Sequence, residues 1–363
     1  MIRVLVAEDS VTVRELLVAI LESDPEIRVV GQAKNGLEAV GLARELRPDL
    51  ITMDVHMPVM DGFTATKEIM VALPTPIIIV SSSASERDVE LSFNALRAGA
   101  LMVIPKPDDP GSPQFNGRQE QFLAMAKAMA DVKVVRRWGR LAERTGDVPS
   151  GRVRPRRAGA VRLVAIGAST GGPAALQRIL ADLPADLPVP ILVVQHIAHG
   201  FTGGLADWLG ASCGLRVKVA TPNEPLAPRT VFLAPDDRHL GVGDGQRIAV
   251  LDAPPVAGFR PSASFLFASA ARALGSAVAA VILTGMGSDG VAGLGAVRAG
   301  GGYVIAQDGA SCVVNGMPGA AVAAGVVDAV LSPEDIAIRL VGLVRGGNRH
   351  GQSRAGGEEE VES

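Results

Sequence analysis

The chain has 363 residues, of which 48% are hydrophobic and only 3% aromatic, and its formal net charge is -3. This length exceeds what one hydrophobic core usually organises, so we expect about two domains whose cores are built from aliphatic side chains. A charge so close to neutral excludes broad electrostatic attraction to nucleic acid or to anionic lipid, and neither is an expected partner.

The cysteines and the N-terminus predict the compartment. Cys213 and Cys312 are far apart in the sequence and form no CxxC pair, so neither a disulfide framework nor a zinc site is indicated. The chain runs from Met1 directly into the strand-like IRVLVA, and no apolar run reaches the roughly 18 residues of a membrane span. We therefore expect a cytoplasmic protein without membrane insertion.

The first part of the chain alternates apolar runs with helical patterns. The predicted helices begin near Val11, Leu37, Phe63 and Glu86, and the predicted strands are IRVLVA, IRVVGQA, DLITMD, PIIIVS and LMVIP. Five buried strands that alternate with helices predict a doubly wound parallel sheet of the flavodoxin-like α/β class. We assign this domain to residues 1–122.

A second β/α series begins at VRLVAIGAS and continues through PILVVQH, TVFLAP, AVAAVILTG and GGYVIAQ. It predicts another doubly wound, Rossmann-like α/β domain at residues 161–346. Between the two domains, we expect residues 123–160 to form a helical and basic linker, and this segment is rich in proline, glycine and arginine toward its end. The polar tail at 347–363, with its acidic cluster, is expected to be disordered.

Polar residues stand at the carboxyl ends of the strands of the first domain, where open parallel sheets bind ligands. Glu8 and Asp9 follow the first strand, and Asp54 follows the third. Such carboxylates repel one another unless a hard cation such as Mg²⁺ holds them. Asp54 is then a candidate nucleophile toward phosphorus. Lys106 could neutralise phosphoryl oxygens, and Ser81 could donate a hydrogen bond to one of them.

These residues lie in the motifs AEDS, MDVHMPVMDG, VSS and PKP, in this order over residues 1 to about 107. The pattern resembles the response-regulator receiver family. The resemblance implies that a histidine kinase of a chemotaxis system phosphorylates Asp54. It also implies that Asp9, Asp54 and the backbone carbonyl of His56 bind Mg²⁺, with Glu8 alongside.

The second domain contains a candidate nucleophile. AIGASTGGP places Ser169 directly after a buried strand, between glycines, and Pro173 in the first turn of a helix. Such a turn exposes the hydroxyl at the sheet edge, and the free N–H groups of the helix suit an oxyanion. The motif is weak by itself, because glycine-rich turns also bind phosphate or only permit close packing.

A nucleophilic serine needs a base. His196 ends the strand ILVVQH and should emerge at the same sheet edge as Ser169 if the two strands are neighbours. His199 and His239 lie in predicted loops and are weaker candidates.

A carboxylate must then orient the imidazole. Asp289, in the glycine-rich loop after VILTG, is favoured over Asp236 and Asp237, whose flanks are more polar. The chain order serine, histidine, aspartate differs from that of ordinary α/β-hydrolases, in which the histidine comes last.

The motifs GASTGG, QH, GFT, RPS, ILTGMGSDG, AQD and SCVVNGMP together resemble the catalytic domain of the chemotaxis protein-glutamate methylesterase family, over residues 161 to about 340. The resemblance implies that Ser169 is the nucleophile, His196 the general base and Asp289 its orienting partner. It also implies that the Met286 N–H is an oxyanion donor and that Thr170 helps to order the site. The loop IAHGFTGGLADWL and the arginine-rich linker depart from the family pattern.

The implied substrates are glutamyl methyl esters of methyl-accepting chemoreceptors, and glutamine deamidation is a further implied activity. No cofactor is expected for ester hydrolysis. We expect the receiver to cover the catalytic edge until Asp54 is phosphorylated. Two rival functions stay open. One is a receiver-linked esterase for another ester, and the other is a regulator that binds a nucleotide on the GASTGG loop without turnover.

Overall fold

The computed structural model describes residues 1–81, 86–107, 111–112, 115–132 and 161–346. Most of the predicted linker and the whole predicted tail lie outside these residues. The described residues group into two compact units. The first holds those up to 132 together with 197–208, and the second holds 161–196 and 209–346. The domain bounds 1–122 and 161–346 stay a prediction.

The first unit contains a five-stranded parallel sheet, and its strands are β1 (Ile2–Ala7), β2 (Ile27–Ala33), β3 (Leu50–Met53), β4 (Ile77–Ser81) and β5 (Met102–Pro105). The strand order is β2-β1-β3-β4-β5. The helices between and after them are α1 (Val11–Glu22), α2 (Gly36–Leu46), α3 (Gly62–Ala72), α4 (Glu86–Ala98) and α5 (Phe115–Ala130). The predicted flavodoxin-like class is confirmed.

The helix starts follow from side-chain caps. Ser10, Asn35 and Asp61 each accept a hydrogen bond from a backbone N–H in the first turn of α1, α2 and α3. Such caps satisfy donors that have no partner within the helix. Because Asn35 caps α2, that helix begins at Gly36, one residue before the predicted start.

The second unit contains a seven-stranded parallel sheet in the order β14-β13-β12-β6-β7-β9-β8. Its strands are β6 (Leu163–Ala168), β7 (Ile191–Gln195), β8 (Arg216–Val219), β9 (Thr230–Leu233), β12 (Val278–Ile282), β13 (Tyr303–Gln307) and β14 (Ala329–Leu331). A separate antiparallel pair joins β10 (His239–Val242) to β11 (Ile248–Leu251). The helices after residue 160 are α6 (Gly172–Asp182), α7 (Thr202–Gly210), α8 (Ala263–Leu274), α9 (Val291–Ala299), α10 (Met317–Ala323) and α11 (Pro333–Gly346).

Four strands were not predicted, and each has a weak sequence signal. β8 is an edge strand whose RVKV pattern is not buried, and β14 has three residues. β10 and β11 flank a turn of polar residues and pair only with each other. The five predicted strands are all present in the parallel sheet, so the second α/β class is also confirmed.

Each sheet has a point at which successive strands are added on opposite sides. In the first sheet this switch lies between β1 and β3, and in the second it lies between β6 and β12. Open parallel sheets bind ligands in the crevice outside the carboxyl ends of such strands. The topology therefore indicates one candidate site in each unit. No helix among the described residues is both long enough and apolar enough to cross a membrane.

Candidate functional site

Ser169 lies on a tight turn between β6 and α6. Its N–H donates to the Thr284 carbonyl at 3.0 Å, and its own carbonyl accepts from the Gly172 N–H at 2.8 Å. Gly171 in this turn has a φ of 76°, a left-handed conformation that favours glycine. The turn leaves the Ser169 side chain half-buried at the first residue past the strand.

His196 follows β7, the strand that pairs with β6. Its N–H donates to the Ala168 carbonyl at 2.9 Å, which keeps it level with the Ser169 turn. Its Nε2 lies 3.0 Å from Oδ2 of Asp289. The Phe259 ring stacks on the imidazole, with 4.5 Å between the ring centroids and 14° between their planes.

Asp289 is buried behind His196 and is held by the start of α8. Burial alone would raise the pKa of its carboxyl group. Hydrogen bonds from His196 and from the backbone of Ala263 and Ser264 outweigh it and hold that pKa far below its usual range. Besides His196, this carboxylate accepts hydrogen bonds from Ser262 Oγ at 2.9 Å, Ala263 N at 2.7 Å, Ser264 N at 3.1 Å and Gly290 N at 2.8 Å.

This arrangement fixes the tautomer of His196. A carboxylate accepts hydrogen bonds and does not donate them, so in the neutral imidazole Nε2 carries the proton and Nδ1 has the lone pair. Nδ1 is buried and has no hydrogen-bond partner in the described structure. The described structure therefore shows no hydrogen bond between Nδ1 and the Ser169 hydroxyl, and hydrogen bonds of this kind commonly tighten only when substrate is bound.

The loop after β12 packs against the nucleophile. A Cβ atom added to Gly285 would lie 2.6 Å from the Cβ of Ser169. Met286 follows directly and is half-buried. The Thr284 hydroxyl donates to the carbonyl of buried Thr170 at 2.9 Å. Met286 and Thr170 therefore both belong to the backbone segments that surround Ser169.

The other histidines and aspartates considered for the base and its partner have other positions in the fold. His239 is fully buried on β10, and its Nε2 lies 3.0 Å from the Pro254 carbonyl. Asp236 and Asp237 follow β9, and the hydrogen bond to His196 comes from Asp289. His199 lies in the turn before α7.

Gln195, Ser262 and Thr284 lie in the quoted motifs QH, RPS and ILTGMGSDG, but the sequence analysis assigned them no role. Ser262 had a further signal, because a serine before an apolar helical pattern is a common helix cap. Phe259 was missed altogether, because it contacts His196 from a distant segment and the sequence has no local signal for that contact.

The acidic pocket of the first unit gathers Glu8, Asp9 and Asp54 at the ends of β1 and β3. One carboxylate oxygen from each lies within 4.8 Å of those of the other two. Glu8 and Asp54 are buried, whereas Asp9 is exposed. Lys106 places its Nζ 3.0 Å from Glu8 and 3.0 Å from Asp54. Ser81 is buried at the end of β4.

Burial and neighbouring charges together shift the pKa values of the groups in this pocket. Burial, and then the neighbouring Asp54, raise the pKa of Glu8 to about 6. Burial also raises the pKa of Asp54, although Lys106 and the backbone N–H of His56 act in the opposite direction. The carboxylates raise the pKa of Lys106 despite its own burial. Clustered carboxylates that one lysine neutralises only in part fit a hard divalent cation such as Mg²⁺.

Together these features define the class of protein. The first unit is a receiver-type sheet with an acidic pocket, and the second is an α/β unit with a serine, a histidine and a buried aspartate at its topological switch point.

Comparisons with known proteins identify the family. Residues 4–112 match the response regulator receiver domain, and residues 164–340 match the CheB methylesterase domain. The chain is 52% identical over 345 residues to protein-glutamate methylesterase/protein-glutamine glutaminase 4 of Myxococcus xanthus, covering 95% of this chain and 98% of the relative. It is 55% identical over 347 residues to protein 3 of that name from Anaeromyxobacter dehalogenans, covering 94% and 98%. The chain belongs to the protein-glutamate methylesterase/protein-glutamine glutaminase family.

Among solved structures, the crystal structure of the Thermotoga maritima CheB methylesterase catalytic domain is 41% identical. The match covers 51% of this chain and 99% of the Thermotoga maritima chain, with a TM-score of 0.49. The family resemblance inferred from the sequence motifs is confirmed for both domains by the family matches and the full-length relatives.

Proposed function

We propose that this protein hydrolyses glutamyl methyl esters of methyl-accepting chemoreceptors and deamidates receptor glutamines, under the control of phosphorylation at Asp54. The observation that carries the hydrolase proposal is the pairing of His196 with buried Asp289 at the sheet edge that bears Ser169. The names of the full-length relatives support the substrate class. A glutamine side chain presents the same carbonyl as the ester, with ammonia as the leaving group.

In the proposed reaction, Oγ of Ser169 attacks the γ-carbonyl carbon while Nδ1 of His196 accepts the hydroxyl proton. The Met286 N–H donates to the oxyanion of the tetrahedral intermediate, an interaction commonly worth ~3 kcal/mol. The carbon–methoxy bond then breaks, and His196 donates its proton to the departing methoxide, which leaves as methanol. Water attacks the acyl-enzyme with the same base, which releases glutamate and restores Ser169. Asp289 stabilises the imidazolium in both steps.

In the receiver unit, we propose that Asp54 accepts a phosphoryl group from a chemotaxis histidine kinase. Asp9, Asp54 and the His56 carbonyl would hold Mg²⁺, with Glu8 alongside. The ion would neutralise charge on the phosphoryl oxygens. Lys106 would shift from the carboxylates toward the phosphoryl group, and Ser81 would donate a hydrogen bond to it. A cytoplasmic location stays a prediction, which the free thiols of Cys213 and Cys312 support.

The Ser169→Ala variant tests the hydrolase proposal. We expect it to lower kcat on methylated receptor fragments by at least about 10³-fold, because the variant lacks the acyl-enzyme route. The matched control is Ser212→Ala, which removes a hydroxyl that donates to the Leu209 carbonyl and should retain activity. Methanol release reports the rate.

Three further measurements distinguish the proposed function from its alternatives. Equal turnover of small esters and receptor fragments would favour a different substrate. Nucleotide binding without turnover, unaffected by Ser169→Ala, would contradict the hydrolase proposal. A small-molecule phosphodonor should increase hydrolysis by the wild type and leave Asp54→Asn unchanged, and equal rates with and without it would contradict control by phosphorylation.

A calorimetric measurement tests the Mg²⁺ site. We expect Mg²⁺ to raise the melting temperature of the receiver more at pH 7.5 than at pH 5. The folded-state pKa of Glu8 is raised to about 6, so its carboxyl group is mainly protonated at pH 5 and competes with the cation. For the same reason, stability that is present below pH 4.5 is lost as the pH rises through about 6, by roughly 2 kcal/mol.

The Glu8→Gln variant should remove most of this pH dependence, whereas Asp49→Asn, at the opposite end of β3, should preserve it. Equal shifts of the melting temperature by Mg²⁺ at both pH values would contradict the assignment of the site.

A further inference from the structure

Gln195 lies between the two segments that carry the nucleophile and the base. It is the last residue of β7, precedes His196 directly, and stands opposite Ala168 in the pairing of β6 with β7. Its side chain is buried, with 7% of the residue exposed. The proposed reaction assigns Gln195 neither a contact with substrate nor a proton transfer.

The amide of Gln195 bonds to both segments at once. Its Nε2 donates to the Ser169 carbonyl at 2.8 Å and to the His196 carbonyl at 2.9 Å. These two acceptors fix the orientation of the amide, because a flipped group would place its oxygen against two carbonyl oxygens. One side chain therefore links the main chain of the nucleophile to the main chain of the base.

The rest of the side chain is unfavourable for stability. Oε1 of Gln195 is buried and has no hydrogen-bond partner in the described structure. It lies so close to the start of α6 that a Cβ atom on Gly172 would stand 2.1 Å from it. An unpaired buried oxygen costs free energy that an apolar side chain of the same length would avoid. A residue that served only to fill this space would not need the amide.

We propose that Gln195 is a positioning residue that sets the separation of Ser169 and His196 through its two backbone hydrogen bonds. The proposal rests on the proposed hydrolase function. The link adds to the backbone pairing of the two strands, because in the described structure Nδ1 of His196 makes no hydrogen bond that would hold the ring relative to Ser169. Small displacements of reacting groups lower kcat strongly while binding of remote parts of the substrate is preserved.

The Gln195→Met variant separates positioning from structural support. It keeps the length of the side chain, removes both hydrogen bonds, and also removes the unpaired oxygen. We expect kcat for ester hydrolysis to fall by about 10- to 100-fold with KM changed less than about twofold. The melting temperature should change little, because the loss of two hydrogen bonds is offset by the removal of the unpaired oxygen. Thr230→Val, which removes another buried side-chain bond to the backbone on β9, should leave kcat unchanged.

A second variant keeps the test decisive if Gln195→Met does not fold. In Gln195→Glu, the neutral acid can donate to one carbonyl and the ionised form to neither. The ratio of variant to wild-type kcat should therefore fall as the pH rises. A wild-type kcat in the folded Met variant, or a ratio independent of pH in the Glu variant, would overturn the proposal.

Failure of this inference is distinguishable from failure of the proposed function. If Ser169→Ala abolishes hydrolysis while Gln195→Met is fully active, only the positioning role is lost. If Ser169→Ala retains activity, the hydrolase site itself is wrong.

Discussion

Replacing Asp289 by asparagine is expected to lower kcat for ester hydrolysis by about 10³- to 10⁴-fold. The carboxylate accepts from His196 Nε2 and thereby leaves Nδ1 as the free base. An asparagine amide can present its NH₂ group to the imidazole, which would favour the opposite tautomer and remove the charge that stabilises the imidazolium. The measurement is the steady-state rate on methylated receptor fragments.

The same variant should lose stability, because the protein donors around Asp289 would face a group with fewer acceptor sites. We expect a decrease of about 3 kcal/mol in the free energy of unfolding, measured by urea denaturation. The control is Asp328→Asn, another buried aspartate whose Oδ2 accepts from the Val304 N–H at 2.9 Å. This control should lose stability but retain kcat. An active Asp289→Asn enzyme would refute the assigned triad.

Replacing Gly285 by alanine is expected to lower kcat by about 100-fold or more. The new Cβ atom would lie 2.6 Å from the Cβ of Ser169 and 2.4 Å from the sulfur of Met317. Met317 is fully buried, so it has little room to move, and Ser169 or the loop after β12 must shift. A displacement of about 1 Å at such a site commonly costs a factor near 10² in rate.

A helical glycine supplies the matched control. A Cβ atom on Gly295 in α9 would meet only a Val326 methyl group, at 4.0 Å. Gly295→Ala should therefore keep kcat and stabilise the protein by about 0.5–1 kcal/mol, because alanine is the better helix former. Equal kcat values for Gly285→Ala and the wild type would contradict the close packing of the loop after β12 on Ser169.

The sequence was sufficient to predict both parallel sheets, because strands such as IIIVS and ILVVQ are buried on both faces and are uniformly apolar. Their carboxyl ends carry the functional side chains, so the candidate residues could be selected before any geometry was known. The same signal fails for β8, which is at an edge, and for β14, which has only three residues.

The support of the site could not be predicted in the same way. Phe259 is 63 residues after His196 in the numbering, and only the folded chain places its ring against the imidazole. The choice of Nε2 as the atom that contacts Asp289 likewise depends on the position of α8 behind the carboxylate. Such contacts depend on the packing of distant elements rather than on local patterns.

The strand order has a consequence for the bond between His196 and Asp289. β7 and β12 flank β6 on opposite sides, so the bond between His196 and Asp289 spans the central strand and joins the two halves of the sheet. A motion that moves β7 and β12 apart would lengthen this bond, while Ser169 would keep its position at the end of β6. The length of this hydrogen bond therefore depends on the separation of β7 and β12, and the nitrogen chemical shifts of the imidazole would record it.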